Sequence, residues 1–151
     1  MKEFNNVDDI LDFAMNSEQE AVDFYNELAT NANTEDMRQV FNQFAQEEIG
    51  HKAKIRQIKE EGTYTLPKEK VKDLKLSDYV VNVEPTKDMS YQDALVVAMK
   101  KEKAAFRLYM DLAEQTDNES MKNLFLGLAQ EESKHKLRFE LEYDEHVLRD
   151  N

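Results

Sequence analysis

Hydrophobic side chains recur along most of the chain at alternating spacings of three and four positions, a pattern that predicts amphipathic helices packed against one another. Polar turn segments with N-cap residues, and acids in the following first turn, divide the pattern into pairs of helices. The turns are Asn33–Asp36 and Asp117–Ser120. The predicted helices span residues 7–31, a second segment ending at about Glu61, residues 90–116, and a fourth segment ending at about Val147. They form two hairpins.

A long connection joins the two predicted hairpins. It spans about residues 62–89, begins at Gly62, a residue typical of helix C-termini, and holds both prolines, Pro67 and Pro85. Within it, Tyr79–Val83 could form a short extended segment at the surface. The chain has 151 residues and few glycines or prolines, so we expect one all-α domain over residues 1–151. Its predicted fold is an antiparallel four-helix bundle with one long crossover.

The two predicted hairpins are similar in sequence. Residues 7–61 align without a gap with residues 91–145, and 19 of the 55 aligned residues are identical. The longest match pairs Ala45–Glu48 with Ala129–Glu132, and in both copies a histidine follows three residues later. A gapless register of this length indicates a tandem repeat rather than a chance likeness between two helical hairpins.

Each hydrophobic stripe is interrupted at its middle, and only by glutamate or histidine. The interrupting residues are Glu18, then Glu48 and His51, then Glu102, then Glu132 and His135, on the first to fourth helices in order. Burying an ionised carboxylate without a partner costs several kcal/mol or more, so four of them in one core require positive charge nearby. The alternative is a hydrogen-bonded polar layer that holds no metal.

These six residues are also predicted to lie at one depth in the bundle. Glu18 precedes Asn33 by 15 positions and Glu48 follows it by 15, so both lie about 22 Å from the turn at a rise of 1.5 Å per residue. The same spacing holds in the second hairpin about its own turn. The four carboxylates and two imidazoles therefore converge in one layer and cancel most of the charge of two divalent cations.

The ligand types indicate which metals are suitable. Glu-x-x-His places both side chains on one face of a helix, and oxygen with imidazole ligands suits iron or manganese, with zinc as an alternative. The chain has no cysteine, which excludes disulfides, thiolate-bound zinc and cysteine-bound iron–sulfur clusters. We expect two metal ions as the cofactor, with iron or manganese suited to these ligands and zinc as the alternative.

Charge and hydropathy limit the partners and the location. The net charge of −12 disfavours binding to nucleic acid or to an anionic membrane. No apolar run approaches the roughly 20 residues that cross a bilayer, and the acidic N-terminus lacks the apolar region of a secretory signal. Together with the absence of cysteine, these features predict a cytoplasmic protein.

The interrupting residues and two tyrosines resemble the motifs of the rubrerythrin branch of the ferritin-like family. The motifs are Glu18…Tyr25 and Glu102…Tyr109, with Glu48–His51 and Glu132–His135. The resemblance implies that the first glutamate of each hairpin is a terminal ligand and the second bridges two irons, while each histidine binds one iron. It also implies that Tyr25 and Tyr109 donate hydrogen bonds to carboxylate ligands, with plain core packing as the alternative.

Two departures from the family pattern affect the prediction. Rubrerythrins carry an additional glutamate ligand one turn after the terminal ligand of the third helix, where this chain has Ala105, and the repeat counterpart is Ala21. Rubrerythrins also carry a cysteine-bound rubredoxin domain, which a chain without cysteine cannot form. Electrons would therefore come from a separate donor, such as a rubredoxin-like protein.

The resemblance implies a homodimeric di-iron oxidoreductase that reduces hydrogen peroxide or consumes O2. Two alternatives stay open. One is a ferroxidase for iron storage or detoxification, although large ferritin cages usually have a fifth helix. The other is a metal-binding helical bundle without redox chemistry. Outside the site, Glu47, Glu131 and His146 are predicted to be exposed.

Overall fold

Four long helices and one short helix make up the fold. The structure, a computed structural model, describes residues 3–82 and 89–150, with side chains to residue 148. The helices are α1 (Val7–Thr30), α2 (Glu35–Glu61), α3 (Lys68–Asp73), α4 (Tyr91–Gln115) and α5 (Glu119–Asp150), and a 3-10 turn covers Leu76–Asp78. The described residues contain no strand, so the predicted all-α fold is confirmed.

Side-chain caps fix where the long helices begin. The side chains of Asn6, Thr34 and Ser90 each accept a hydrogen bond from the backbone N–H three residues later, at the starts of α1, α2 and α4. Asn118 accepts an equivalent bond from the N–H of Met121, at 3.1 Å, next to the start of α5. Thr34 and Asn118 lie in the two turn segments that the sequence predicted, whereas Asn6 and Ser90 lie outside them. At the other end, α2 stops at Gly62, whose φ of 64° is left-handed.

The bundle is built from two hairpins. α1 packs along α2, and α4 packs along α5. The hairpins meet where α1 faces α4 and through aromatic contacts between α2 and α5, such as Phe41 with Phe139. One hydrophobic cluster joins the start of α1 to the ends of α2 and α4 and to the start of α5, and a second cluster joins the opposite ends of the same helices. The six residues that interrupt the hydrophobic stripes lie between these clusters.

The crossover contains more structure than its sequence predicted. It includes α3 and the 3-10 turn, and Tyr64, Val71 and Leu74 are buried in the first hydrophobic cluster. Tyr79, expected at the surface, is buried, and its hydroxyl donates a hydrogen bond to Asp111 Oδ2 at 2.7 Å. Residues 79–82 are not extended strand. Val83 and Pro85 lie outside the described residues.

A helix that crosses a bilayer must be both long and apolar. In the part of the chain that the structure describes, no helix combines the necessary length with sufficient apolarity.

Candidate metal centre

All six residues that interrupt the hydrophobic stripes are buried, and their side chains come together at the middle of the bundle. None exposes more than 2% of its surface. α1 and α4 each contribute one glutamate, and α2 and α5 each contribute a glutamate and the histidine one turn later. The depth predicted from the distances to the two turns therefore corresponds to one layer in the structure.

The layer divides into two overlapping groups of four ligand atoms. In each group, every atom lies within 4.8 Å of the other three. Glu48 and Glu132 belong to both groups, whereas Glu18 and His51 complete one group and Glu102 and His135 complete the other. Two adjacent positions that share two carboxylates have the arrangement of a two-metal site with bridging glutamates.

Both histidines point the same ring nitrogen into the layer. His51 Nδ1 lies 2.8 Å from Glu132 Oε1 and 3.5 Å from Glu48 Oε1, and His135 Nδ1 lies 3.1 Å from Glu48 Oε1. The two imidazole rings are nearly parallel, with centroids 6.4 Å apart. Nδ1 is therefore the nitrogen available to a metal, and Nε2 of each ring faces outwards.

Two glutamates that sequence analysis placed at the surface contact the outward nitrogens. Glu131 Oε2 lies 3.1 Å from His51 Nε2, and Glu47 Oε1 lies 3.6 Å from His135 Nε2. Their side chains are only 38% and 34% exposed, so the prediction that both are exposed was wrong. A signal was present, because both residues directly precede a stripe glutamate and are identical in the two repeats.

The two tyrosines donate hydrogen bonds across the hairpins. The hydroxyl of Tyr25 on α1 donates to Glu102 on α4, and the hydroxyl of Tyr109 on α4 donates to Glu18 on α1. Both rings are fully buried, and burial followed by the nearby carboxylates holds the pKa of each phenol well above its ordinary value. Each phenol therefore keeps its proton at neutral pH and stays a donor.

The carboxylates do not titrate alike. Burial, and then the charges of neighbouring glutamates, raises the pKa of Glu48 and of Glu132 well above the ordinary value. Burial also acts to raise the pKa of Glu18, but hydrogen bonds from His51 and Glu48 outweigh it, and the net change is downwards. In the metal-free layer, the two shared glutamates therefore hold protons that a cation would displace.

His51 gains basicity from charges on both sides of its ring. Burial alone lowers its pKa, but Glu18 on the inner side and Glu131 on the outer side outweigh burial and raise it. Glu132 lies nearer to Nδ1 than Glu18 does, at 2.8 Å against 3.7 Å. Because its raised pKa keeps Glu132 protonated, the charge that acts on the imidazole is that of Glu18 and Glu131.

Buried polar atoms without partners show that the layer fits bound cations. One oxygen of each of the four glutamates is buried with no hydrogen-bond partner among the described residues. Both ring nitrogens of His135 are also buried without a hydrogen-bond partner among the described residues, because their contacts with Glu48 and Glu47 lack hydrogen-bond geometry. Unpaired buried acceptors are costly, and the four glutamates and His135 that carry them all belong to the two groups of ligand residues. The donor set of carboxylate oxygen and imidazole nitrogen suits iron or manganese.

A cavity reaches the layer from the side where α1 faces α4. Its volume is about 340 Å³, and all four glutamates and both tyrosines contribute to its wall, whereas neither histidine does. Ala21 and Ala105, the small residues one turn after the terminal glutamates, also line it. Tyr79, Val80 and Val81 of the crossover form another part of the wall. We call this space the inner cavity.

Outside the layer, His146 is not simply a surface residue. It is half-buried, its Nδ1 lies 2.9 Å from Asn33 Nδ2, and its ring contacts Tyr91 edge-on with centroids 5.2 Å apart. These contacts join the end of α5 to the turn between α1 and α2.

The fold and the layer together define a ferritin-like carboxylate bundle, in which two helices give one glutamate each and two give Glu-x-x-His. The family model described as Rubrerythrin matches residues 9–143, and the chain belongs to the rubrerythrin family. The resemblance inferred from the motifs is confirmed.

The structural comparison agrees with the family assignment. A crystal structure from Thermotoga maritima, described as a ferritin-like diiron-carboxylate protein, matches with a TM-score of 0.78. The match covers 97% of this chain and 99% of that chain at 22% sequence identity, which shows a shared fold. A comparison with curated proteins gave no match.

Proposed function

We propose that this protein is a di-iron oxidoreductase that reduces hydrogen peroxide to water with electrons from a separate donor protein. One observation carries the proposal: two overlapping groups of buried carboxylate and imidazole ligands share Glu48 and Glu132 at the centre of a rubrerythrin-family bundle. A structural polar layer would instead pair its acceptors with donors, and four buried carboxylate oxygens here have no partner among the described residues.

The proposed ligands follow the two groups. Glu18 and His51 would hold one iron, Glu102 and His135 the other, and Glu48 and Glu132 would bridge both. When bound, the pair of iron ions supplies the two electrons and the Lewis acidity that cleavage of the peroxide O–O bond requires. Manganese or zinc would occupy the same ligands, but zinc has no redox chemistry to offer.

The protein's own residues orient the ligands and control protons. Glu131 is hydrogen-bonded to the outward nitrogen of His51, which keeps Nδ1 of that ring directed inwards, and Glu47 lies near the outward nitrogen of His135. The hydroxyls of Tyr25 and Tyr109 hold their protons beside the terminal glutamates. The two hydrophobic clusters exclude water from both ends of the layer. The inner cavity gives a small oxidant access to the face opposite the histidines.

The proposed setting follows from composition and family. The chain has no cysteine with which to bind an electron-transfer iron centre, so a rubredoxin-like protein is the proposed donor. We propose a homodimer in the cytoplasm as the working form. O2 is the alternative oxidant. Iron oxidation experiments distinguish this proposal from a ferroxidase and from a metal-binding bundle without redox chemistry.

Spectroscopy of the iron-loaded protein tests the proposal. The purified protein is loaded with ferrous iron under anaerobic conditions, and the near-ultraviolet band of an oxo-bridged diferric site is followed after addition of peroxide or O2. Rapid oxidation by peroxide, reversed by a reduced donor, is the expected result. Faster oxidation by O2 with iron accumulating far beyond two ions per chain would indicate a ferroxidase. No change with either oxidant would indicate a non-redox metal site.

A further inference from the structure

The inner cavity is much larger than peroxide needs. A water molecule takes up roughly 30 Å³ of liquid, and peroxide is only slightly larger. The cavity has about 340 Å³, within the range of roughly 300–1,000 Å³ that is typical of pockets for organic ligands. Apart from the glutamates and tyrosines of the metal layer, one part of its wall is apolar and includes Phe13, Ala105 and Leu108. Another part is polar and includes Asn16, Ser17, Glu20 and Lys101.

A second depression adjoins the inner cavity and carries positive charge. It has about 310 Å³, shares Val80, Val81 and Ala104 with the inner cavity, and is also lined by Lys100, Lys103 and Arg107. We call it the basic groove. Its acidic residue, Asp78, lies 3.5 Å from Arg107. Neither lysine of the groove forms an ion pair within the described part of the chain.

The repeat shows that this charge is peculiar to one half of the molecule. The basic positions of α4 are Lys100, Lys101, Lys103 and Arg107, and their counterparts on α1 are Asn16, Ser17, Gln19 and Asp23. Four cations thus replace three neutral residues and one acid, in a protein whose net charge is −12. A cationic patch in one repeat alone is not needed for solubility. Such a patch favours the binding of an anion.

Lys101 joins the basic side of α4 to the wall of the inner cavity, where it is paired with Glu20. Its side chain is only 16% exposed and lines the cavity wall, with Nζ 3.8 Å from Glu20 and 5.8 Å from the ring centroid of Phe24. Val80, at the junction of the two spaces, is 44% exposed although it is apolar. The apolar part of the inner cavity therefore continues through an apolar junction into a cationic groove.

We propose that the inner cavity and the basic groove together bind a small amphipathic carboxylate, of the size of a medium-chain fatty acid. Its apolar chain would lie in the inner cavity beside the metal layer, and its carboxylate would lie in the groove near Lys103 and Arg107. The proposal rests on the proposed function in one respect, because bound cations must neutralise the glutamates that form the inner end of the cavity.

Calorimetric titration of the iron-loaded protein with octanoate tests the proposal. Octanoate is expected to saturate one site per chain. Acetate, which has the charge without the chain, and octyltrimethylammonium, which has the chain with the opposite charge, are expected not to bind. Equal binding of octanoate and octyltrimethylammonium would overturn the proposed role of the groove, and an absence of octanoate binding would overturn the proposal as a whole.

Two variants locate the bound molecule. Ala104→Phe obstructs the junction and should abolish octanoate binding. Lys103→Glu reverses one exposed charge of the groove and should weaken binding by about tenfold. Lys54→Glu makes the same change at an exposed position of α2 outside both spaces and should leave binding unchanged. Octanoate affinity that is equal in all three variants would mean nonspecific adsorption and would refute the proposal.

Iron content and peroxide consumption, measured separately without octanoate, keep the two proposals distinct. If the protein holds two irons per chain and consumes peroxide but does not bind octanoate, only the ligand proposal is wrong. If the protein binds octanoate at the junction but does not consume peroxide, only the proposed activity is wrong. If Lys103→Glu slowed reduction by a donor protein and left octanoate affinity intact, the groove would be a protein-docking surface, and the ligand proposal would be wrong.

Discussion

Neighbouring glutamates have different roles at the centre of this bundle. Glu48 points into the carboxylate layer and belongs to both groups of metal-ligand atoms, whereas Glu47 reaches sideways to the histidine of the opposite hairpin. Glu132 and Glu131 repeat the arrangement. One position along a helix turns the side chain by about 100°, since a turn takes 3.6 residues. Each hairpin thus places a carboxylate beside the histidine of the other.

Removing the outer carboxylates should weaken metal binding without removing a ligand. Glu131→Gln and Glu47→Gln take away the charged partners of His51 Nε2 and His135 Nε2, and such losses typically cost about 10–100-fold in metal affinity. The effect should be larger for Glu131, whose contact is 3.1 Å against 3.6 Å. Competition with a chromogenic chelator measures it. Glu140→Gln is the control on α5, because its side chain is 45% exposed and lies near Lys136. Equal affinities in all three variants would contradict the predicted role.

The shared glutamates should give the metal-free protein an unusual response to pH. Folding raises the pKa of Glu48 and Glu132 above the ordinary 4.5, so the native state binds protons more tightly than the unfolded state. That contribution to stability is complete below pH 4.5 and is lost as the pH rises through the raised values. His51, also raised, acts in the same direction. Glu18, whose pKa is lowered, acts in the opposite sense, but only below pH 4.5, where its contribution is lost as the pH falls.

The thermal midpoint of chelator-treated protein is therefore expected to fall between pH 5 and pH 8, and metal affinity is expected to rise over the same range because cations and protons compete. The double variant Glu48→Gln, Glu132→Gln is the control, since amides do not titrate, and its midpoint should change less with pH. A midpoint that rises with pH in the unsubstituted, metal-free protein would be inconsistent with these shifts.

The sequence predicted the side chains that point into the carboxylate layer, but it did not predict that Glu47 and Glu131 contact the histidines from outside. The reason is physical. A glutamate such as Glu18 in a hydrophobic stripe is conspicuous, because its burial follows from helix periodicity alone. The partner of Glu131 depends on how α2 and α5 pack across the layer, and no pattern within one helix encodes that packing. The same holds for Tyr79, whose burial requires the crossover to lie against α4.

The positions of some helices follow from local sequence signals, whereas that of α3 depends on tertiary packing. The starts of α1, α2 and α4 follow from side-chain caps that are visible in the sequence, and α2 ends at a glycine. The short helix α3 lacks a side-chain cap, and it was not predicted. Its six residues are too few to be stable alone, and the buried side chain of Val71 ties it to the bundle.

Two glycines should respond in opposite ways to the same substitution. Gly62 ends α2 with a left-handed φ of 64°, so Gly62→Ala should cost about 1 kcal/mol of unfolding free energy. Gly127 lies inside α5 with no atom within 4 Å of an added Cβ, so Gly127→Ala should stabilise by about 0.5–1 kcal/mol. Urea unfolding of the metal-free protein measures both. Changes of the same sign in both variants would show that local backbone preference does not decide the effect of alanine at one of the two positions.

At the scale of the whole molecule, neither hairpin carries a complete metal position. Each group of ligand atoms takes Glu48 from one hairpin and Glu132 from the other, and adds one carboxylate and one histidine from a single hairpin. Outside the layer, the hairpins meet where α1 faces α4 and where Phe41 of α2 stacks on Phe139 of α5. Metal binding should therefore stabilise the assembly of the two halves in addition to the layer itself.

Substitution of the shared and terminal glutamates should separate these contributions. Glu48→Ala and Glu132→Ala each remove a ligand from both groups and should abolish tight binding of both metals, whereas Glu18→Ala touches one group and should leave about one metal per chain. In the unsubstituted protein, free metal at about 100 times its dissociation constant should add ~2.7 kcal/mol of stability per site. Elemental analysis and thermal unfolding with and without metal measure the two quantities, and Glu140→Ala is the exposed control. If Glu48→Ala still held two metals tightly, the carboxylates would not be shared, and the two-metal interpretation of the layer would be wrong.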